Sequence, residues 1–415
     1  MLRPYCAPTC IKQMDIPLLF STRIIRLFCY GFLSVVLALY LSETGLTEVQ
    51  IGVLFSLTLV GDAVITLWLT TSADRFGRKR TLLVGALFMA GAGIVFVMTR
   101  NYILLVCAAI IGVISPADKD IGPFLSVEQA SLAHLISNDK RTQVFAWYNV
   151  AGSFASATGA LAGGWLAQGF QNSGWTALES YRMILIGYAL GGVLLLFLFL
   201  NLTQSVEVEQ TPQDEIQRLI GLHRSRNVVF KLSSLFALDA FAGGLLVQSF
   251  LAYWFHERFG VDSGILGSIF FAANILAGIS ALLAVRLAKR IGLINTMVFT
   301  HIPSSILLML IPWMPTLSLA VGFLLLRFSI SQMDVPTRQS YTMAVVAPDE
   351  RSAASGVTAI ARSAGAAVSP ALTGLFFSIP ALFNLPFFLC GGLKIIYDLL
   401  LFREFRTVKP PEEIM

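Results

Sequence analysis

SADRFGRKRT, residues 72–81, is a basic turn between two long apolar runs, and it decides the fold because a weaker copy of it returns later in the chain. The copy is LAKRIGLINT at residues 287–296, where Gly292 stands 215 residues after Gly77. Further matches follow at an offset of 210 residues. The repeated pattern predicts a chain made of two copies of one structural unit.

The composition is that of a membrane protein. Hydrophobic residues make up 56% of the chain and charged residues only 13%, whereas a soluble chain carries about 25% charged residues. The segments 81–99, 183–206 and 263–285 contain no Asp, Glu, Lys or Arg, and each is long enough to cross a hydrocarbon core of about 30 Å. Secondary transporters are built as duplicated chains with many such spans, and their substrate site lies where the repeats meet.

The apolar runs predict an all-α membrane protein with twelve transmembrane helices in two pseudo-symmetric six-helix bundles. The helices are expected at roughly 16–42, 47–71, 80–99, 102–135, 141–168, 182–202, 229–256, 262–286, 293–311, 316–346, 352–378 and 384–403. An N-terminal bundle at 1–202 and a C-terminal bundle at 229–415 are joined by a cytoplasmic loop at 203–228. Thr211-Pro212-Gln213-Asp214 has the pattern of a helix N-terminus. The loop is therefore expected to carry a short amphipathic helix on the inner membrane surface, with a polar linker as the alternative.

Basic residues predict the orientation. With both termini inside, the inner segments hold nineteen Lys and Arg, and the outer segments hold three, namely Arg100, Arg182 and Arg258. Cytoplasmic loops carry such an excess, so both termini are predicted to be cytoplasmic in a cell membrane, plasma or inner. The net charge of +5 then marks the inner face, and no nucleic-acid partner is predicted.

Several motifs of enzymes and ATP-driven proteins are missing. No G-x-x-x-x-G-K-[ST] loop is present, so ATP is not the expected energy source. H-E-x-x-H and G-x-S-x-G are also missing, which argues against an enzyme. Cys6 and Cys10 have no His or second Cys pair beside them, so no metal and no cofactor are predicted.

DRFGRK at residues 74–79 closely resembles the loop between helices 2 and 3 of the major facilitator superfamily. The family pattern has a glycine four residues before the Asp, where this chain has Thr70. The resemblance covers essentially the whole chain. It implies a gating motif that latches the inner face while the outward-facing state is populated, made of Asp74, Arg75, Gly77, Arg78 and Lys79. The alternative is that these basic residues only anchor the inner surface.

A second resemblance lies in the fifth predicted helix. Proton-coupled drug antiporters of the superfamily carry G-x-x-x-G-P-x-x-G-G there, and residues 155–164 read ASATGALAGG. Gly159, Gly163 and Gly164 match, whereas Ala160 stands in place of the proline. The match implies an antiporter-like protein, and the alternative is close helix packing through small residues.

Ionisable side chains inside the spans are the candidate substrate and coupling residues, because burying them in a bilayer is costly. They are Asp62, Asp120, Glu128, Asp239, Arg327, Asp334 and Arg338. The last three are spaced so that they form one stripe along the tenth helix. In the superfamily the first, fourth, seventh and tenth helices line the central cavity. This implies that Glu128 and Arg338 could meet across it as a conditional ion pair.

Other charged residues in the spans have structural interpretations. Lys394 and Asp398 are four residues apart and are expected to pair with each other. His301 stands alone on the ninth helix and is expected to be a packing residue. Three arginines within reach of the inner interface are expected to extend into it: Arg23, Arg26 and Arg362.

These features predict a monomeric secondary transporter in the lipid bilayer that moves a small organic molecule by alternating access. Proton-coupled export is the leading expectation, because carboxylates in such a cavity suit proton coupling. Uptake or facilitated diffusion of a polar or anionic metabolite is the alternative within transport, since the tenth helix carries two arginines. A membrane sensor or scaffold without flux is the alternative of another class.

Overall fold

In the computed structural model, the described residues lie mostly in α-helices. The structure describes the backbone of residues 8–112, 114–117, 124–136, 138–203, 206–207, 223–347 and 350–408. Within these ranges, the side chains of 8–14, 69–76, 133–134, 138–143, 146 and 352 lie outside the described part. The short amphipathic helix that was predicted in the loop at 203–228, beginning near Thr211, also lies outside the described residues.

The described residues form sixteen α-helices. They are α1 (Pro8–Ser34), α2 (Leu37–Glu43), α3 (Glu48–Phe76), α4 (Arg78–Met98), α5 (Tyr102–Ile111), α6 (Phe124–Leu135), α7 (Asn138–Asn172), α8 (Ala177–Leu200), α9 (Arg226–Gly244), α10 (Gln248–Phe259), α11 (Ser263–Ile291), α12 (Leu293–Leu310), α13 (Leu317–Ser331), α14 (Asp334–Val345), α15 (Arg351–Phe377) and α16 (Leu385–Phe405). Ten stretches of the described chain are long and apolar enough to cross a membrane. The remaining two predicted spans correspond to α5 with α6, and to α7.

Three predicted spans are helix pairs, apart from the fourth, where the residues between α5 and α6 are described only in part. In the first, seventh and tenth spans, α1 is separated from α2, α9 from α10 and α13 from α14. In the tenth span the break is explained by Pro336, because proline lacks an N–H and its ring excludes the carbonyl of Gln332 one turn back. In the seventh span α9 ends at Gly243 and Gly244, and glycine is a poor helix former. The continuous helices predicted for these three spans are therefore corrected to helix pairs.

The chain forms two compact units. The first comprises Met1–Gly45, Gly61–Thr211 and Val261–Phe271, and the second comprises Leu46–Val60, Pro212–Gly260 and Ala272–Met415. In the first unit α1 packs along α7 and α4 packs along α8. In the second unit α9 packs along α15 and α12 packs along α16. These pairs are the first with the fifth span and the third with the sixth span of each half, so the packing repeats as the sequence does. The boundaries at 1–202 and 229–415 stay a prediction.

Glycines allow α7 to approach α1 closely. A Cβ atom at Gly159 would lie 2.1 Å from the carbonyl oxygen of Phe28, and one at Gly163 would lie 2.1 Å from that of Phe32. Any larger residue at these positions would therefore force the two backbones apart. Close helix packing is thus one role of these two glycines of the fifth span.

Candidate functional site: two buried ionic clusters

The first cluster surrounds Glu128, which lies on α6 and is fully buried. Arg26 of α1 binds both carboxylate oxygens, with Nη1–Oε1 and Nη2–Oε2 distances of 2.7 Å each. Thr22 Oγ1 donates to Oε1 at 2.9 Å, and the hydroxyl of Tyr148 donates to Oε2. A two-point pair between arginine and a carboxylate is a strong form of charged hydrogen bonding. Glu128 is therefore held in a neutralised ion pair inside the first unit.

Arg23 is the second arginine of this cluster. Its guanidinium carbon lies 4.3 Å from the centroid of the Tyr148 ring, and its Nη2 donates to Asn149 Oδ1 at 3.3 Å. Gly152 makes room for it, since a Cβ atom there would lie 2.7 Å from Arg23 Nε. The contact of the cation with the aromatic face ties α1 to α7 through the same tyrosine that binds Glu128.

The second cluster surrounds Asp239, a buried carboxylate on α9. Its Oδ2 accepts from Arg338 Nη1 at 2.9 Å and from Arg362 Nη1 at 3.2 Å. Its Oδ1 accepts from Lys394 Nζ at 2.7 Å. One carboxylate is thus shared by three cations, which come from α14, α15 and α16.

The second cluster extends from Asp239 in two directions. Arg338 also donates to Asp334 at 3.0 Å, one turn away on α14. On the other side, Lys394 Nζ lies 3.3 Å from His301 Nε2, and His301 Nδ1 lies 3.0 Å from each oxygen of Asp398. The result is one connected chain of polar side chains across five helices of the second unit.

The charges of the second cluster balance when His301 is neutral. Three cations face three carboxylates: Arg338, Arg362 and Lys394 against Asp239, Asp334 and Asp398. Buried charges need such compensation, because an uncompensated charge in a low-dielectric interior is costly. Arg362 is the most exposed member, with 35% of its side-chain surface accessible. Arg362 is therefore the member of the cluster whose side chain extends furthest out of the buried interior.

The structure brings together three of the residues singled out in the sequence, Asp239, Asp334 and Arg338. It places Glu128 in the first cluster. Arg327 on α13 stacks on Phe328, with its guanidinium carbon 5.1 Å from the ring centroid. Its Nε is buried and has no hydrogen-bond partner among the described residues.

The two remaining sequence candidates lie elsewhere. Asp62 on α3 accepts a hydrogen bond from Thr66 at 3.1 Å and belongs to neither cluster. Asp120 lies outside the described residues.

The structure pairs Glu128 and Arg338 differently from the sequence-based expectation. Glu128 is bound by Arg26, and Arg338 is bound by Asp239 and Asp334. Each charge is neutralised inside its own unit, because each has a counter-ion on a neighbouring helix of that unit. Glu128 and Arg338 thus belong to separate clusters in the structure, and their conditional pairing stays a prediction.

Sequence reasoning missed several members of the clusters. His301 was expected to be a packing residue, and Lys394 and Asp398 were expected to pair directly; the structure links them through His301 instead. Arg26 and Arg362 were expected to extend to the inner interface, and the structure gives them carboxylate partners. The available signal was the position of these charges inside otherwise apolar spans, where a partner is the default expectation.

The inner turn motif has the same backbone conformation in both copies. Gly77 has φ 95° and Gly292 has φ 87°, a region that residues with a side chain rarely adopt. Each glycine precedes a helix, α4 in the first copy and α12 in the second. Asp74 and Arg75 belong to the stretch whose side chains lie outside the described part.

Two side chains connect the first copy of the turn to the end of α8. Glu207 accepts from the backbone N–H of Arg78 at 2.7 Å and of Lys79 at 3.1 Å. Lys79 Nζ donates to the carbonyl oxygens of Leu200 and Leu202, at 2.7 Å each. A carboxylate at a helix N-terminus and an ammonium at a helix C-terminus are both favourable placements. The backbone of Arg78 and the side chain of Lys79 thus contribute to the local structure where α4 begins and α8 ends.

Paired helix repeats with charges buried inside them define a multi-pass membrane transporter. The chain belongs to the Major Facilitator Superfamily, whose family model matches residues 19–370. It is accordingly an integral membrane secondary transporter for small molecules and not an enzyme. Among curated proteins it is similar to the uncharacterized membrane protein YJR124C of Saccharomyces cerevisiae, at 30% identity over 417 residues and 93% of each chain.

Solved structures share the fold at low sequence identity. A bacterial homologue of the human lysosomal transporter Spinster, inward-facing and occupied, is 16% identical, with 98% of each chain covered and a TM-score of 0.73. The nucleoside transporter NupG is 15% identical, with 94% of this chain and 99% of that chain covered and a TM-score of 0.75. A D-xylose-proton symporter is 15% identical, with 94% and 97% covered and a TM-score of 0.74. These likenesses show the major facilitator fold.

Proposed function

We propose that this protein is a proton-coupled secondary transporter that exports a small organic molecule, with the Asp239 cluster as its coupling site. The observation that carries the proposal is the crowding of three cations, Arg338, Arg362 and Lys394, around one buried carboxylate. The cations belong to three different helices. A movement of α14, α15 or α16 relative to α9 therefore changes how many cations Asp239 keeps.

Such a cluster can tie the binding of a proton to the position of helices. A buried carboxylate beside cations stays ionised, and one that loses them tends to bind a proton. A helix rearrangement that withdraws cations from Asp239 is then stabilised by a proton, whereas one that keeps them is not. A ligand that binds the two global states unequally shifts the same equilibrium. Proton binding and substrate binding then depend on the same conformational equilibrium, which is what coupling of substrate movement to a proton gradient requires.

The direction is supported by the resemblance of the fifth span to that of proton-coupled drug antiporters. The proposal places the protein in a cell membrane with both termini cytoplasmic and takes the monomer as the working unit. The fold itself accommodates proton coupling, since one structural neighbour is a D-xylose-proton symporter.

Transport of a polar or anionic metabolite is the second candidate function. It is favoured by Arg327, whose buried Nε has no hydrogen-bond partner among the described residues. It is also favoured by the partly exposed Arg362. Guanidinium groups suit carboxylate and phosphate groups, because their donors can form two parallel hydrogen bonds.

Flux in proteoliposomes tests the proposal. Purified protein is screened by thermal shift against a panel of small organic cations, anions and neutral metabolites, and the compounds that stabilise it are assayed for transport under an imposed pH gradient. Wild-type protein is expected to move such a compound against its concentration gradient. A protonophore is expected to abolish that movement.

Asp239→Asn is the decisive variant. It is expected to lose gradient-driven flux and to keep exchange of substrate for substrate, because the substrate site remains but the carboxylate whose cation partners change with the proton is gone. Glu404→Gln is the matched control, since Glu404 pairs with Lys231 on the exposed surface of the same unit. Flux that is unaffected by the protonophore would indicate facilitated diffusion instead of proton coupling. Ligand binding without any flux would favour a sensor.

A further inference from the structure

We infer that His301 is the proton acceptor of the Asp239 cluster, and that its protonation exchanges the cation on Asp239 Oδ1, with the imidazolium taking the place of the Lys394 ammonium. The inference rests on the proposed function and deepens it by naming where the proton binds. It is carried by the different neighbours of the two ring nitrogens.

The neighbours define the tautomer of His301. Nδ1 lies 3.0 Å from both oxygens of Asp398. When Asp398 is ionised, its oxygens only accept hydrogen bonds, so Nδ1 then carries a hydrogen. Nε2 lies 3.3 Å from Lys394 Nζ. An ammonium only donates, so Nε2 carries no hydrogen and accepts from it. The geometry thus assigns a neutral imidazole whose free lone pair faces a cation.

A third distance shows that His301 is close enough to Asp239 for the exchange of cations. His301 Nε2 lies 4.0 Å from Asp239 Oδ1, the oxygen that Lys394 Nζ holds at 2.7 Å. A proton added to Nε2 removes the lone pair that accepted from Lys394 and places an N–H beside an ammonium. The like charges repel, and a shift of about 1 Å brings Nε2–H within hydrogen-bond distance of Oδ1. One proton enters from solvent, one N–H bond forms, and no other covalent bond changes.

The other groups around the ring stay in place during this exchange. The charged and titratable neighbours in the cluster are Asp398, Tyr397, Cys390 and Lys394 on α16, Asp239 on α9, Asp334 and Arg338 on α14, Arg362 on α15 and Arg327 on α13. Asp398 holds Nδ1–H in both protonation states, and the ring of Tyr397 lies edge-on with its centroid 6.0 Å away. Arg338 and Arg362 stay on the other oxygen of Asp239.

The exchange of cations changes which helix is linked to α9 through Asp239. With neutral His301, Asp239 Oδ1 connects α9 to α16 through Lys394. With protonated His301, the same oxygen connects α9 to α12, and Lys394 is released from both of its partners. Proton binding thus changes which helix α9 is tied to, and it frees an ammonium group inside the second unit.

Nuclear magnetic resonance of the imidazole tests the inference without any substrate. The chain has four histidines, and replacing His134, His223 and His256 by Gln leaves only His301 for ¹⁵N labelling. The neutral ring is expected to carry its hydrogen on Nδ1. Lowering the pH is expected to protonate Nε2 as well. Should the triple variant not fold, the difference between spectra of the wild type and His301→Gln identifies the same ring.

Charge variants then separate the exchange from a merely structural role. Lys394→Gln is expected to raise the pH at which the ¹⁵N signals of the ring change, because a cation beside Nε2 is removed. Asp239→Asn is expected to lower it. Lys231→Gln removes an exposed ammonium of the same unit and is expected to leave the midpoint unchanged.

Two results would overturn the inference: a neutral ring with its hydrogen on Nε2, or a midpoint that does not respond to Lys394→Gln. Either result can occur while proton-driven flux persists. The proposed coupling site would then be retained, with Asp239 itself as the proton acceptor. Loss of proton-driven flux in the wild type is a separate outcome and would reject the proposed function.

Discussion

Arg26 and Glu128 are joined at two points, with both Nη–Oε distances 2.7 Å and neither side chain exposed to solvent. The pair connects α1 to α6 inside the first unit. Thr22 and Tyr148 complete the hydrogen bonding of the carboxylate. Removing either charge would leave the other buried without its counter-ion.

Breaking this pair is expected to destabilise the protein. Arg26→Gln or Glu128→Gln alone is predicted to cost about 3–5 kcal/mol, because one uncompensated charge remains buried. The double variant is predicted to be more stable than either single variant, since no charge is then left without a partner. Thermal unfolding of the purified proteins in detergent measures this. Losses that simply add in the double variant would show that the two side chains are not coupled.

Asp74 is predicted to support the outward-facing state as part of the inner latch that the sequence motif implies. Asp74→Asn is expected to reduce transport strongly while expression stays near normal. Arg80→Ala is expected to matter less, because Arg80 is exposed at the start of α4. Flux in proteoliposomes measures both variants. Wild-type rates in both would leave the motif with an anchoring role only.

Glu350 is predicted to make stability depend on pH. Its carboxylate accepts from the backbone N–H of His223, of Arg224 at 2.7 Å and of Ser225 at 2.8 Å. These hydrogen bonds, that from His223 first, lower the pKa of Glu350 to about 2 from an ordinary value of 4.5. The stabilisation is therefore fully present above about pH 4.5 and is lost as the pH falls toward about 2.

The measurement for Glu350 is the melting temperature as a function of pH. Between about pH 6 and about pH 3, the wild type is expected to lose more stability than Glu350→Gln, which lacks the ionised carboxylate throughout. Glu404→Gln serves as the control, because its partner Lys231 and Glu404 itself lie on the surface. Parallel curves for the wild type and Glu350→Gln would argue against a role for this carboxylate.

Topology can be tested with single cysteines on a cysteine-free background. The excess of basic residues on one face predicts that Thr47→Cys, Ser173→Cys and Asp262→Cys react with impermeant thiol reagents from outside. Asn227→Cys and Thr407→Cys are predicted to react only after the membrane is permeabilised. All five positions are exposed, so accessibility depends on the side of the membrane. The reverse pattern would invert the orientation.

Much of the fold could be predicted from the sequence, because the bilayer imposes a simple rule on composition and length. The apolar runs gave the spans, and the copy of the turn at Gly77 and Gly292 gave the repeat. The breaks inside the first, seventh and tenth spans were missed. An apolar run shows that a segment can cross the membrane, but it does not show where its helix is interrupted; for the tenth span, Pro336 was the available signal.

The site was harder to predict, since the sequence shows which charges are buried but not which of them meet. Asp239, Asp334 and Arg338 were found because each is a charge inside a span. His301 and Lys394 were assigned structural roles, because their partners lie on other helices and no spacing along the chain reveals them. The offset of 210 residues relates Glu128 to Arg338, but it gives no sign of the partners that the structure places beside them, Arg26 and Asp239.

The Asp239 cluster also constrains how the chain can change over evolutionary time. Three cations and three carboxylates from four helices balance one another, so a mutation that removes one charge leaves a deficit inside the membrane. The deficit is removed by a second mutation that takes away a charge of the opposite sign at another member of the cluster. In related proteins, substitutions at these six positions should therefore tend to arise as matched pairs, either within one helix or on helices that are far apart along the chain.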